Sequence, residues 1–131
     1  MGMYTEIYVN VDFKESTPDS VIDTLRCITG DIEYESERYT ELMRDKPSRF
    51  YCLFSNMSYY TPRTCCGNLT YDKFSKCYSL IGKGDLKNYD NEIEAFFKFI
   101  APYVDGCCEF IGYYRYEEDK KPTLVFLEDL L

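Results

Sequence analysis

Apolar and polar side chains alternate along residues 4–13, near the start of the chain. One set of alternate positions is mainly apolar and comprises Thr5, Ile7, Val9, Val11 and Phe13. Polar residues, among them Glu6, Asn10 and Asp12, occupy positions between them. Since successive side chains of a strand point to opposite faces, this pattern predicts a strand with one buried face.

A helix is predicted to follow this strand. Apolar residues recur at helical spacing from Val21 to Ile28. Thr17 is placed to cap the helix, and Pro18 suits its first turn. Gly30 then provides the left-handed residue with which many helices end.

The middle of the chain is predicted to be a connection followed by short strands. Residues 31–48 are polar and charged, with a short helix expected around residues 39–44. The aromatic-rich residues 49–55 predict a strand, and Asn56-Met57 a turn into a further strand at 58–61.

Two further strands are expected at residues 69–74 and 76–81, closing at Gly82, Lys83 and Gly84. A glycine–lysine–glycine sequence also invites comparison with a phosphate-binding loop. It lacks the Walker spacing, and no helix with a Lys-Ser/Thr start follows it directly. We therefore predict a turn at these three residues.

The clearest helix is expected after Asp90, which is placed to cap it. An apolar stripe follows at Ile93, Phe96, Phe97, Ile100 and Val104. The chain is then predicted to form a hairpin, with strands at 107–116 and 123–127 and a charged turn at 117–121. The sequence thus predicts one globular α+β domain that spans residues 1–131. In this domain a single antiparallel sheet carries two helices packed on one face.

Composition restricts the chemistry. The chain has no histidine, which excludes His-dependent catalytic arrangements and His-ligated zinc. Seven cysteines without a secretory signal pattern favour a reducing cytosol. The pairs Cys65-Cys66 and Cys107-Cys108 could together supply four thiolates to a zinc ion. Adjacent cysteines of a strand point to opposite faces, however, so we favour the prediction that they are buried as small apolar side chains. We expect no catalytic residues, no cofactor, no metal site, no membrane span and a cytoplasmic location.

Charge is distributed unevenly along the chain, whose net charge is −8. Residues 1–37 carry nine acidic and two basic side chains, and residues 89–131 carry ten acidic and four basic ones. Residues 38–88 carry four acidic and nine basic side chains. The sequence therefore predicts a basic centre between two acidic ends.

The acidic ends offer a candidate surface for binding a partner protein. Four acids alternate at Asp31, Glu33, Glu35 and Glu37. In an extended chain their carboxylates would recur about every 6.6–6.8 Å, which is close to the rise of two phosphate steps of nucleic acid. Such a row could compete with nucleic acid for its binding groove. A charged, solvated loop explains the four acids equally simply. The second acidic group and its aromatic neighbours are Tyr114, Tyr116, Glu117, Glu118 and Asp119, with Tyr113 expected on the opposite strand face from Tyr114 and Tyr116.

The basic centre offers an alternative site, because cations bind phosphates and aromatic rings stack on bases. Its candidate ligand-binding residues are Arg49, Tyr51, Tyr59, Tyr60, Arg63 and Lys83. Tyrosines are also common in strands and at protein interfaces, so both explanations stay open.

Two stretches resemble small proteins of bacterial phages and mobile elements. They are residues 3–12 and residues 112–118, the latter followed by Pro122-Thr123-Leu124. Small size, one acidic domain and no enzyme motif are similar to anti-CRISPR and other anti-defence inhibitors. The resemblance implies a non-enzymatic viral protein that binds a host defence protein resembling a CRISPR effector, with no direct nucleic-acid binding. The alternatives are a nucleotide or small-ligand binder, such as a sponge for a signalling nucleotide, and an immunity protein that neutralises a toxin.

Overall fold

The structure, a computed structural model, describes residues 3–55, 65–107 and 109–131. Its centre is a five-stranded, fully antiparallel sheet in the order β2-β3-β1-β4-β5. The strands are β1 (Thr5–Asp12), β2 (Cys66–Asp72), β3 (Cys77–Leu86), β4 (Phe110–Tyr116) and β5 (Thr123–Phe126). The predicted α+β class is confirmed, and so is the hairpin near the end of the chain. The turn predicted at residues 56–57 and the strand at 58–61 lie outside the described residues.

The described residues also form three α-helices and three 3-10 helices. The α-helices are α1 (Asp19–Thr29), α2 (Glu37–Met43) and α3 (Glu92–Ile100). The 3-10 helices cover Phe50–Cys52, Ala101–Tyr103 and Leu127–Asp129. The two long helices were expected, and α2 confirms the short helix expected near residue 39.

The two predicted helix caps are wrong in detail, whereas the predicted stop at Gly30 is confirmed. The Thr17 hydroxyl donates to the carbonyl oxygen of Lys14 at 2.7 Å, so it does not cap α1. Asn91, in a left-handed conformation, precedes α3 in place of Asp90. Gly30 has a φ of 89°, and its N–H donates to the carbonyl oxygens of Arg26 and Cys27 at the end of α1.

The side chains of β1 alternate between the two faces of the sheet, as the sequence pattern predicts. Ile7, Val9 and Val11 are almost fully buried on one face, which packs against α1 and α3. This helix-covered face holds the core, in which the rings of Phe50 and Phe54 meet that of Phe96 edge-on. The opposite, open face carries the alternate set of side chains.

The strand predicted at residues 49–55 is wrong, because Phe50–Cys52 form a 3-10 helix. The turn predicted at residues 82–84 is also wrong, since these residues continue β3. The two differences have one cause. Gly82 and Gly84 face the core without side chains, and the backbone and ring of residues 53–54 fill the space that larger residues would take.

Candidate protein-binding site

Strand β4 places two predicted tyrosines beside α3. Tyr114 pairs with Ile7 and Tyr116 with Thr5, so both rings lie on the helix-covered face of the sheet. Tyr113 lies on the open face, where its ring stacks on Tyr8 at 5.3 Å between centroids. The predicted division of the three tyrosines is therefore confirmed.

The tyrosines form one side of a surface groove with a volume of about 480 Å³. We call it the acid–tyrosine groove; its lining residues are Met3, Thr5, Asn88, Tyr89, Glu94, Tyr114, Tyr116 and Asp119. A second cavity of about 300 Å³ shares Glu94 and Tyr114 with it and continues along β5. The combined groove follows the edge of the molecule between α3 and the β4–β5 hairpin.

Hydrogen bonds position the two acidic residues of the groove. The side-chain amide of Asn88 donates to Oε1 of Glu94 at 2.8 Å. Asp119 is fixed through its backbone, since its N–H donates to the Tyr116 carbonyl at 2.8 Å and Arg115 Nη1 donates to its carbonyl oxygen at 3.1 Å. The eight described lining residues include these two carboxylates and no cationic side chain.

Tyr116 lies beside the acidic turn. Desolvation, followed by the nearby carboxylates of Glu118, Glu117 and Asp119, raises the pKa of Tyr116. Like that of an ordinary tyrosine, its hydroxyl is a neutral hydrogen-bond donor and acceptor at neutral pH. Tyr89, which is 66% exposed, is the third tyrosine of the groove, and the guanidinium of Arg49 lies over its ring at 5.6 Å from the centroid.

The structure brings Tyr114, Tyr116 and Asp119 of the predicted set into one site. Glu117 has a structural role, because the Tyr4 N–H donates to its Oε1 at 2.6 Å and its own N–H donates to the Tyr4 carbonyl at 2.9 Å. Glu118 is exposed in the same turn. Glu117, Glu118 and Asp119 thus form one surface with Tyr114 and Tyr116, around the turn between β4 and β5.

The other predicted acids do not form a regular row. Asp31, Glu33, Glu35 and Glu37 are all exposed. Glu35 has a left-handed φ of 63°, and Glu37 already begins α2, so the stretch is not an extended strand with a uniform carboxylate spacing. Helix α2 packs on α1, which lies against β2. These acids therefore lie toward the sheet edge opposite the acid–tyrosine groove.

The alternative ligand-binding residues are divided between the two faces of the sheet. Arg49 pairs with Glu92 on the helix-covered side, its Nη1 lying 3.6 Å from Oε1. Lys83 pairs with Tyr8 and lies on the open face. Tyr51 contacts Tyr34 in a separate aromatic cluster. The other three candidates, Tyr59, Tyr60 and Arg63, lie outside the described residues.

Sequence analysis missed Tyr89, Asn88 and Glu94 as parts of the groove. Glu94 has the sequence signature of an acid in the first turn of a helix, which by itself indicates only a favourable interaction with the helix dipole. Its proximity to Tyr114 depends on β4 pairing with the first strand. The local sequence around Glu94 or Tyr114 does not show which strands pair.

Within residues 3–55, 65–107 and 109–131, no group of three or more cysteine, aspartate or glutamate side chains is arranged to hold a metal ion. The proposed four-thiolate site also requires Cys108, which lies outside these ranges. Over the same residues, no helix has the length and apolar character needed to cross a membrane. No protein-family model, no curated protein and no solved structure matches this chain.

Proposed function

We propose that this protein is a non-enzymatic inhibitor of the phage type, which binds a host defence protein at a basic, nucleic-acid-binding surface. The observation that carries the proposal is the acid–tyrosine groove. Three tyrosine rings and two carboxylates line it, and the described lining residues add no cation. This combination suits a cationic side chain from a partner protein.

Arginine and lysine side chains gain from both kinds of group in the groove. A cation over the face of a tyrosine ring is attracted by about 0.5–2 kcal/mol, and more strongly as water is excluded. A carboxylate adds a charge-assisted hydrogen bond, which is roughly twice as strong as a neutral one. Nucleic-acid-binding surfaces are rich in these two residues, because they neutralise phosphates.

The net charge of the whole molecule favours the same class of partner. At −8, the chain is attracted to a positively charged surface and repelled by nucleic acid. Opposite charges of this kind raise the association rate and select against acidic partners. An acidic protein seated on such a surface prevents nucleic acid from binding there, which inhibits the defence protein without a chemical reaction.

A phage-plating experiment tests the proposal. The chain is expressed in bacterial strains that each carry one defence system acting on nucleic acid, CRISPR nucleases included, and each strain is challenged with a phage that its system restricts. We expect plaque formation to be restored by at least tenfold in one of the strains. The variant Glu94→Lys/Asp119→Lys should lose this effect, because it gives the groove two positive charges.

A matched variant controls for overall charge. Glu15→Lys/Glu128→Lys changes the net charge by the same amount at two exposed acids outside the groove. It should inhibit as the wild type does. Restriction unchanged in every strain would contradict the proposed function, whereas equal losses in the two variants would contradict the role of the groove.

A further inference from the structure

The hairpin between β2 and β3 ends in a turn that is fixed by one aspartate. Oδ1 of Asp72 accepts a hydrogen bond from the Phe74 N–H at 2.9 Å, and its Oδ2 accepts one from the Ser75 hydroxyl at 3.2 Å. The Lys76 N–H donates to the Asp72 carbonyl at 2.8 Å. Lys76 has a φ of 59°, which closes the turn. The tip of this hairpin is therefore held in a defined shape.

Phe74 projects from this turn into solvent. Its side chain is 99% exposed, more than any other large apolar side chain that the structure describes. A phenylalanine in that position adds no packing to the fold, and polar residues or glycine are the usual choice at a tight turn. Burying its ring in a binding site would favour association, with little loss of backbone freedom because the turn is already formed.

The surroundings of Phe74 are cationic. Lys73 and Lys76 flank it and are exposed, while the Asp72 carboxylate is occupied by the hydrogen bonds of the turn. The tip thus carries one exposed aromatic side chain and two exposed lysines within four consecutive residues. We call this set of Lys73, Phe74 and Lys76 the basic tip.

We propose that the basic tip of one molecule docks in the acid–tyrosine groove of a second copy. The two surfaces are complementary in shape, because one protrudes and the other is a cavity of about 480 Å³. They are also complementary in chemistry. Phe74 meets the tyrosine rings, and the two lysines meet Glu94 and Asp119.

The position of the two surfaces determines the type of assembly. The basic tip joins the end of β2 to the start of β3, whereas the groove lies at the opposite end of the sheet, where β1 begins and β3 and β4 end. Contact between two different surfaces is head-to-tail and produces a ring if it closes and a chain of molecules if it does not. Because few residues take part, the association is weak, and it competes with any partner protein for the groove.

Sedimentation equilibrium of the purified 131-residue chain tests this proposal. Over about 10 µM to about 1 mM protein, we expect the average mass to rise with concentration at low salt, and to rise less when salt shortens the screening length. Phe74→Ser should raise the dissociation constant at least about tenfold. The control Leu131→Ser removes an exposed apolar side chain elsewhere, 76% exposed, and should associate like the wild type.

A charge exchange identifies the groove as the docking site. Lys73→Glu/Lys76→Glu makes the tip acidic, and Glu94→Lys/Asp119→Lys makes the groove basic; each variant alone should be monomeric. Mixing the two should restore association, because each tip then meets a groove of opposite charge. Both variants keep a negative net charge, so general attraction between them does not explain this result.

Three outcomes would overturn the proposal. The wild type could remain monomeric over the whole concentration range, or Phe74→Ser could associate as strongly as the wild type. The mixture of the two charge variants could also remain monomeric. None of these results bears on inhibition in the plating experiment, which needs only the groove and a host partner.

Discussion

A methyl group added at Gly84 would collide with the backbone carbonyl of Leu53, and one added at Gly82 would lie 2.6 Å from the Phe54 ring. The Leu53 carbonyl belongs to the backbone and has little room to move, whereas the Phe54 ring is able to rotate. We therefore expect Gly84→Ala to lower the free energy of unfolding by at least about 3 kcal/mol, and Gly82→Ala by about 1–3 kcal/mol. Urea denaturation measures both changes.

Gly106→Ala is the control for these glycine substitutions. Apart from the glycine and its two chain neighbours, no atom of the described residues lies within 4 Å of the added methyl group at that position. The variant should differ from the wild type by less than about 0.5 kcal/mol. Equal stability of Gly84→Ala and Gly106→Ala would contradict the close approach of the 3-10 helix to β3.

The buried residue Tyr39 makes stability depend on alkaline pH. Burial is the main cause that raises the pKa of Tyr39 to about 12, and the side chain is only 8% exposed. The ordinary value is about 10, so folding favours the neutral form. That contribution is complete below about pH 10 and is lost as the pH rises toward about 12.

Tyr39→Phe removes the titrating group and isolates its effect. Between about pH 9 and about pH 11, the wild type should lose about 1 kcal/mol more unfolding free energy than this variant does. Urea denaturation of both proteins at the two pH values measures the difference. Parallel losses in the two proteins would show that Tyr39 ionises with an ordinary pKa in the folded state.

At the scale of elements, an ion pair connects the segment before the first 3-10 helix to the start of α3. Glu92 is fully buried, and its Oε1 lies 3.6 Å from Nη1 of Arg49, with no hydrogen bond to that oxygen from the described residues. Arg49→Met leaves a buried carboxylate without its cation. We expect a loss of about 2–4 kcal/mol in unfolding free energy.

Adding Glu92→Gln to Arg49→Met should recover part of that loss, because the neutral amide costs less to bury than a carboxylate. A double-mutant cycle measured by thermal unfolding gives the coupling between the two residues. Lys46→Met, which breaks an ion pair with the exposed Asp45, is the comparison and should cost less than about 1 kcal/mol. A cycle with no coupling would contradict a structural role for Arg49.

Elements with a clear hydrophobic period could be predicted from the sequence, whereas those determined by tertiary packing could not. The alternation of β1 and the apolar stripe of α3 each depend on a local pattern, and both elements were predicted. The residues around Phe50 have the composition of a strand but form a 3-10 helix because glycines in β3 leave room for them. The space between two distant segments does not appear in either local sequence.

The same limit applies to the candidate site. Tyr114 and Tyr116 were predicted to share a strand face, because that follows from a two-residue period. The participation of Tyr89 and Glu94 follows from the order of the strands, which places α3 beside β4. A single sequence contains the first kind of information and not the second.

At the scale of the whole molecule, the hairpin of β4 and β5 is required for folding. A chain that ends at Cys107 lacks the buried side chains of Ile111, Val125 and Leu127 and leaves one edge of β1 unpaired. We expect this chain to show no cooperative unfolding transition in circular dichroism. The loss of three large core side chains is comparable to the whole stability of a domain of this size.

A chain that lacks only the exposed Leu131 is the control for this truncation. It should unfold cooperatively, with a midpoint within a few degrees of that of the 131-residue chain. A sharp transition in the chain that ends at Cys107 would show that β1, β2 and β3 with their helices fold without the second hairpin.

The central position of β1 has a consequence during protein synthesis. Thr5 pairs with Tyr116, so the ribosome makes one strand of this pair long before the other. At about 5–20 residues per second, β1 emerges roughly 5–20 s before β4 is complete. One backbone edge of β1 can pair with β3 only after residue 86 is made, and the other edge lacks its partner for the whole interval. Slow translation or an excess of nascent chains should therefore increase the demand for chaperones.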